Sequence, residues 1–222
     1  MTHPVADSAV APGREESIIE WFQRNARLLG MAAGAAAVLV AGYWFYTRSQ
    51  EIKRDNADRA LNTALQSVSA GNAALAQSDL QKVIDRYSDT QPGIEAAMVL
   101  AEMQFEAGNV KEGVTILEKV AGSRAASPSL AAIYSLIGDG QLQGGKAADA
   151  AKAYQKAADA TTFGHEKAWQ LAKVARALTV AGDNAGAAKI WTQLANDPKA
   201  QGLANEAKVR LGELQARPAG KS

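Results

Sequence analysis

The sequence predicts an all-α protein, in which a single N-terminal transmembrane helix is followed by a solenoid of helix-turn-helix repeats. Three observations support this prediction. Alanine, which favours helices and disfavours strands, occupies 48 of the 222 positions. A run of 19 uncharged residues lies near the N terminus. Beyond it, four glycine turns recur at one fixed spacing, which is typical of a repeat architecture.

Composition narrows the classes of function. The chain has no cysteine, which excludes disulfides, thiolate metal sites and thiol nucleophiles. Two histidines leave little for metal binding or acid–base chemistry. The balance of 24 basic and 23 acidic residues argues against a dedicated nucleic-acid binder. We therefore expect a protein that is not an enzyme and that has no cofactor, metal, small-molecule substrate or nucleic-acid partner.

Residues 28–46 (LLGMAAGAAAVLVAGYWFY) form the uncharged run. As a helix they would rise about 28 Å, close to the hydrocarbon core of a bilayer. The run ends in four aromatic residues, which suits a membrane interface, and Arg27 and Arg48 flank it. A buried core helix is one alternative, but the run has no polar face. A cleaved signal peptide is the other, but 27 residues precede the run and no clean cleavage site follows it. A retained signal anchor is the better interpretation.

Residues 1–27 are predicted to form a tail with a short amphipathic juxtamembrane helix, because Ser17 and Glu20 have the spacing of a capping box. Basic residues are similar in number before and after the run, so the positive-inside rule leaves the orientation open. Gly30 and Gly34 form a GxxxG pattern that could let two spans pack together. That pattern also arises easily by chance in an alanine- and glycine-rich segment.

The repeat is defined by four turn glycines, each 37 residues after the one before: Gly71, Gly108, Gly145 and Gly182. A small residue stands five positions after each glycine, as at Ala150 and Ala187. A large residue stands nine positions after it, as at Tyr154 and Trp191. These offsets lie on one face of a helix, where the small residue allows close approach and the large one fills the space beside it. Each repeat is therefore predicted to consist of a helix, a turn and a second helix. Glycine supplies the left-handed conformation of the turn.

This pattern of large, small and glycine positions resembles the tetratricopeptide repeat. Residues 134–157 and 171–194 match it best, and residues 97–120 and 60–83 match less well. The resemblance implies a tetratricopeptide-repeat-like domain over residues 47–222, closed by a cap helix at residues 203–214. The period is 37 residues instead of the usual 34, and we expect linkers at residues 88–93, 122–129 and 196–202 to absorb the difference.

The layout as a whole resembles the YfgM family, ancillary SecYEG-translocon subunits of the bacterial inner membrane. The resemblance lies in Trp21-Phe22-x-x-Asn25, in Gly42-Tyr43-Trp44-x-Tyr46 and in a patch from Gly182 to Trp191. It implies a single-pass protein with residues 1–27 in the cytoplasm and residues 47–222 in the periplasm. It also implies a chaperone-like adaptor whose partners are the translocon, periplasmic chaperones and newly translocated proteins. A scaffold or assembly factor of another cell-envelope complex is the alternative.

The tetratricopeptide resemblance also nominates a protein-binding groove on the first helix of each unit, by offset from the turn glycines. We predict that it forms a shallow amphiphilic surface that holds peptide segments weakly. Ordinary solvated positions, with Phe105 and Trp169 partly in the core, are the alternative. The nominated residues are Glu95, Met98, Glu102, Phe105 and Glu106; Ser135, Asp139, Leu142 and Gln143; and Trp169, Ala172, Arg176 and Thr179.

Overall fold

The computed structural model describes the backbone of residues 14–216 and the side chains of residues 21–216. Residues 1–13 of the predicted N-terminal tail lie outside the described residues. These contain α-helices and two short 3-10 helices but no strand, which confirms the all-α prediction. The α-helices are α1 Arg14–Ser69, α2 Ala73–Tyr87, α3 Gln91–Glu106, α4 Val110–Ala121, α5 Leu130–Gln143, α6 Ala147–Ala160, α7 Gly164–Val180, α8 Asn184–Asn196 and α9 Ala204–Ala216.

The chain divides into two compact units, and the division falls between Ile52 and Lys53. In the first unit, α1 is the one described helix that is long and apolar enough to cross a membrane. None of its most apolar stretch is buried, and Leu39 and Phe45 are 74% and 72% exposed. A helix in a soluble core would hide such side chains. Gly30 and Gly34 also face open space, since an added Cβ would meet no atom within 4 Å.

Helix α1 already includes Arg14, the first described residue, which corrects the predicted helix start at the Ser17 capping box. Arg14, Glu15 and Glu16 are good helix formers, so the helix extends for most of a turn before Ser17. The predicted juxtamembrane helix and the predicted span are thus consecutive parts of one helix. The boundaries at residues 27 and 46 remain predictions.

The second unit repeats one supersecondary element. We call the end of α1 and helices α3, α5 and α7 the first helices, and α2, α4, α6 and α8 the second helices. Each turn glycine between them has a positive φ, from +72° at Gly71 to +85° at Gly182. The residue after each glycine donates its N–H to the carbonyl five residues earlier, as from Asn109 to Gln104 at 2.8 Å. Glycine is favoured there because a Cβ would strain this left-handed conformation.

The linkers between successive repeats are shorter or more ordered than the sequence predicts. The first expected linker, residues 88–93, overlaps the first turn of α3. That turn forms because Pro92 lies in the first helical turn, where its missing N–H costs nothing, and the Thr90 hydroxyl accepts the N–H of Gly93 at 3.3 Å. The other two linkers contain the 3-10 helices Arg124–Ser129 and Pro198–Leu203.

The core of the second unit is built in three neighbouring clusters along the repeat. The first joins the end of α1 to α6, where it includes Ala153. A small second one joins α6 to α7, and the third joins α6 to α9. Glycine allows the closest helix approach, where the Tyr154 ring of α6 lies directly against Gly138 of α5. Leu80, Leu117 and Trp191 are fully buried. Each repeat therefore packs on its sequence neighbours, as expected for a solenoid.

Candidate functional site

The nominated groove residues lie on the first helices, and we call this set the first-helix face. Glu95, Glu102, Glu106 and Trp169 are exposed, and Trp169 has 53% of its surface accessible. Met98, Asp139, Leu142, Arg176 and Thr179 are half-buried, and Gln143 is exposed. Phe105, Ser135 and Ala172 are buried. Most of the face is therefore accessible to a partner, although its floor belongs to the core.

Phe105 is 8% exposed and belongs to the first core cluster, which agrees with the alternative that places it partly in the core. Two glycines on other helices make room for it. A Cβ at Gly113 would come 2.8 Å from Phe105 Cδ1, and a Cβ at Gly140 would come 2.7 Å from Cε1. The Phe105 carbonyl also accepts a hydrogen bond from Gln143 Nε2 at 2.9 Å. Phe105 is thus a structural link between the repeats.

On α5 and α7 the polar residues of the face form hydrogen bonds and ion pairs with side chains of neighbouring helices. Lys173 Nζ donates to both carboxylate oxygens of Asp139, at 3.0 and 3.1 Å, and to Ser135 Oγ at 2.8 Å. The Tyr154 hydroxyl donates to Asp139 Oδ1 at 2.7 Å, and Lys173 Nζ lies 5.2 Å from the centre of the Tyr154 ring. Burial, followed by the Asp139 hydrogen bond, raises the pKa of Tyr154. The hydroxyl therefore stays a donor at physiological pH.

Arg176 is paired with the last helix. Its guanidinium donates to both oxygens of Glu206 on α9, each at 2.7 Å from Nη2, and it lies 6.0 Å from the centre of the Trp191 ring. A second arginine, Arg210, approaches Glu206 at 3.7 Å. A fork-like contact of this kind holds both partners in one orientation. Arg176 thus ties the end of the first-helix face to α9.

Both partners, Lys173 and Glu206, lie outside the set of residues that the sequence nominates. Neither lies at a groove offset, although each has an opposite charge on an adjacent helix. Lys173 follows Asp139 by 34 residues and Glu206 follows Arg176 by 30. A search for opposite charges about one repeat apart would have found them as candidates.

Helix α3 differs, because its carboxylates have no such partners. Among the described residues, Glu95, Glu102 and Glu106 form no ion pair within 4.0 Å. Partial burial, then the negative charges of Glu106 and Asp139, raise the pKa of Glu102. The α3 part of the face therefore carries concentrated negative charge without internal compensation.

Two cavities lie near these residues. One of about 680 Å³ lies between α2 and α4, on the second helices, and is lined by Gln81, Ile84, Gly108, Asn109, Val110, Lys111, Glu112, Thr115, Ile116 and Lys119. A smaller one of about 240 Å³ lies beside Arg176, between α7, α8 and α9. In the described part of the chain, no three His, Cys, Asp or Glu side chains are grouped to hold a metal ion.

Comparison with known sequences gives a family match. The family described as tetratricopeptide repeat-like domain matches residues 20–137, which is more than half of the chain. The match begins within α1 and ends within α5. No curated protein matches the sequence.

Comparison with solved structures supports the same fold over a longer stretch. A crystal structure of MamA protein is 16% identical with a TM-score of 0.51, and the alignment covers 72% of this chain and 86% of that one. Repeats described as TPR-like from a putative kinesin light chain of Podospora anserina are 18% identical with a TM-score of 0.52, over 72% and 92% of the two chains. At these identities the likeness concerns the fold alone.

Proposed function

Because this chain belongs to the tetratricopeptide repeat-like domain family, we propose that it is a membrane-anchored adaptor that presents its repeat domain to the Sec translocon and to newly translocated proteins. A repeat domain of this type is typically a non-catalytic protein-interaction scaffold. In the proposed arrangement residues 28–46 span the bacterial inner membrane once. Residues 1–27 are cytoplasmic, and residues 47–222 are periplasmic.

The observation that carries the adaptor role is the exposed, polar and partly apolar first-helix face. Trp169 is half exposed on α7, while Glu102 and Glu106 are exposed on α3 without an internal partner. Met98 and Leu142 are half-buried beside such charges. A surface of this composition suits weak binding of peptide segments, because apolar contact supplies affinity and charge supplies selectivity.

The anchor is supported by the exposed apolar stretch of α1, from Leu28 to Tyr46. An apolar surface of this length on a soluble protein would be an aggregation liability, whereas lipid would cover it in a membrane. The choice of the translocon over another envelope complex rests on the YfgM-like residues around Trp21, Tyr43 and Trp191.

Topology is tested with reporter fusions at the C terminus of the full chain. We expect alkaline phosphatase fused after residue 222 to be active, and a reporter that works only in the cytoplasm to be inactive. The reverse pattern would overturn the periplasmic placement. It would leave the repeat domain as an adaptor on the cytoplasmic side.

Partner binding is tested by site-specific photocrosslinking in intact cells, followed by purification in mild detergent and mass spectrometry. A photoreactive residue at Glu102 or Trp169 should capture translocon subunits or translocated proteins. The matched control is Lys189, which is exposed on second helix α8. Equal yields at all three sites would rule out the first-helix face. Reproducible capture of another envelope complex would favour the scaffold alternative.

A further inference from the structure

One offset on the first-helix face is charged in three successive repeats. Glu102, Asp139 and Arg176 each lie six residues before their turn glycine. Asp139 is neutralised by Lys173, and Arg176 by Glu206. Glu102 has no such partner among the described residues, although its position in the repeat is the same.

The Asp139 site shows how this face holds a cation. Lys173 Nζ donates hydrogen bonds to three acceptors, which are the two carboxylate oxygens of Asp139 and the hydroxyl oxygen of Ser135. The Tyr154 ring lies 5.2 Å from the ammonium. The carboxylate thus pairs with a lysine from the next first helix, and the Tyr154 ring lies beside the pair.

One repeat earlier, the residue that would supply the ammonium is missing. The position 37 residues before Lys173 is Leu136, and the position 37 residues before Ser135 is Met98. Glu102 therefore has the carboxylate of the cation site and apolar neighbours in register, but no lysine.

We propose that the α3 part of the first-helix face binds a partner segment carrying a lysine or arginine next to apolar residues, and that Glu102 is its specificity-determining residue. This inference rests on the proposed adaptor function and names the chemistry of its partner. The incoming cation occupies the place that Lys173 fills one repeat later, and its apolar neighbours contact Met98 and Leu136.

Charge complementarity selects a basic segment over an acidic or neutral one. Helix α3 carries three glutamates and no lysine or arginine, whereas α4 and α6 carry equal numbers of acidic and basic residues. Glu102 is exposed and lies near the charges of Glu106 and Asp139. A cation placed beside it relieves this repulsion.

The test uses the full chain in a neutral maltoside detergent and three fluorescent synthetic peptides. The peptides have the same length and the same leucine and alanine positions, and carry two lysines, two glutamines or two glutamates. Binding is followed by fluorescence anisotropy, with empty micelles subtracted. We expect the lysine peptide to bind most tightly, and its affinity to fall as salt is raised.

Two glutamate variants identify the contributing carboxylate. Glu102→Gln should weaken binding of the lysine peptide about tenfold, the size expected when a charged hydrogen-bond partner is lost. The matched control Glu118→Gln removes an exposed glutamate from second helix α4 and should leave binding unchanged. A reduction of the same size in both variants would overturn the assignment, because it would reflect net charge alone.

A third variant supplies the missing lysine from inside the protein. Leu136→Lys should pair with Glu102, as Lys173 pairs with Asp139, and should reduce binding of the lysine peptide while the glutamine peptide still binds. Circular dichroism checks its folding, and Glu102→Lys provides the same test without altering a packed leucine. Unchanged lysine-peptide binding in folded Glu102→Lys would overturn the inference.

The peptide results also separate this inference from the adaptor function. Equal binding of all three peptides would leave an unselective binding face and overturn the charge preference alone. Binding of none of them, together with equal photocrosslinking at Glu102 and Lys189, would overturn both proposals.

Discussion

The two ends of the first-helix face use equivalent positions in opposite ways. On α5 and α7, Asp139 and Arg176 form ion pairs with Lys173 and Glu206, so their charges are neutralised by other residues of the domain. On α3, Glu102 stands at the same offset and forms no ion pair among the described residues. The charges at the C-terminal end of the face are therefore paired within the domain, while the end formed by α3 carries charge that is unpaired among the described residues.

This difference shows that an offset in a repeat does not determine a role. The role depends on the residue that the next helix places opposite. Lysine at position 173 makes a structural pair, whereas leucine at position 136 leaves a carboxylate unpaired. The repeat geometry is shared, and single residues decide where the protein stabilises itself and where it can bind.

Two aromatic residues of the nominated set provide the largest test of this contrast. Phe105→Ala should reduce the free energy of unfolding by about 3–5 kcal/mol, because it empties a buried space between Gly113 and Gly140. Trp169→Ala should change it by no more than about 0.5 kcal/mol, because Trp169 is exposed. Urea unfolding of the full chain in detergent, followed by circular dichroism, measures both. Similar losses would mean that the two residues do not differ in role.

The two carboxylates at the shared offset come next. Asp139→Ala should destabilise the domain by about 1–3 kcal/mol, since it leaves the Tyr154 hydroxyl without its acceptor and Lys173 with Ser135 as its one remaining acceptor among the described residues. Glu102→Ala should be neutral to within about 0.5 kcal/mol, because Glu102 is exposed and forms no ion pair or side-chain hydrogen bond among the described residues. The same urea titration compares them. A loss at Glu102 as large as that at Asp139 would contradict the distinction between a paired and an unpaired end.

A smaller effect is expected at the contact with α9. Arg176→Met should cost about 1 kcal/mol or less, because both partners are partly exposed to water. Hydrogen exchange should become faster in the amides of α9 and stay unchanged in α3. Arg176→Lys is the matched control, since it keeps the charge but loses the two-pronged contact with Glu206. If α9 exchanges at the wild-type rate in Arg176→Met, Glu206 does not hold that helix.

The smallest effect concerns pH. The pKa of Glu102 is raised above its ordinary value of 4.5, first by partial burial and then by neighbouring carboxylates. A carboxyl whose pKa is higher in the folded state favours folding when it is protonated. This stability is present below the ordinary pKa and is lost as the pH rises through the raised one. Thermal unfolding of the wild type should therefore lose stability relative to Glu102→Gln over that window. Parallel curves would mean that Glu102 is not perturbed.

Much of the fold could be predicted because its signals are local. The turn glycines, spaced by 37 residues, lie where the left-handed conformation occurs, and the apolar run lies on one exposed helix. The start of α1 and the first linker were misjudged, because helix propensity and the Pro92 turn extend helices beyond the strongest cap signal.

The candidate site was harder to predict, since its character depends on contacts between helices. The groove offsets gave no sign that Phe105 is buried, although Gly113 and Gly140 are the small residues that admit its ring. They also gave no sign of Lys173 or Glu206, which lie on adjacent helices outside those offsets.

The sequence by itself determined the period, the turns and the apolar segment, because backbone conformation and hydrophobic patterning are properties of short stretches of chain. Only the tertiary structure decided which charges are paired and which remain free. Asp139 and Lys173 are separated by 34 residues in the chain, and their ion pair exists because adjacent first helices place them 3.0 Å apart. Glu102 forms no ion pair among the described residues for the same reason, since the next first helix has a leucine at the position equivalent to Lys173.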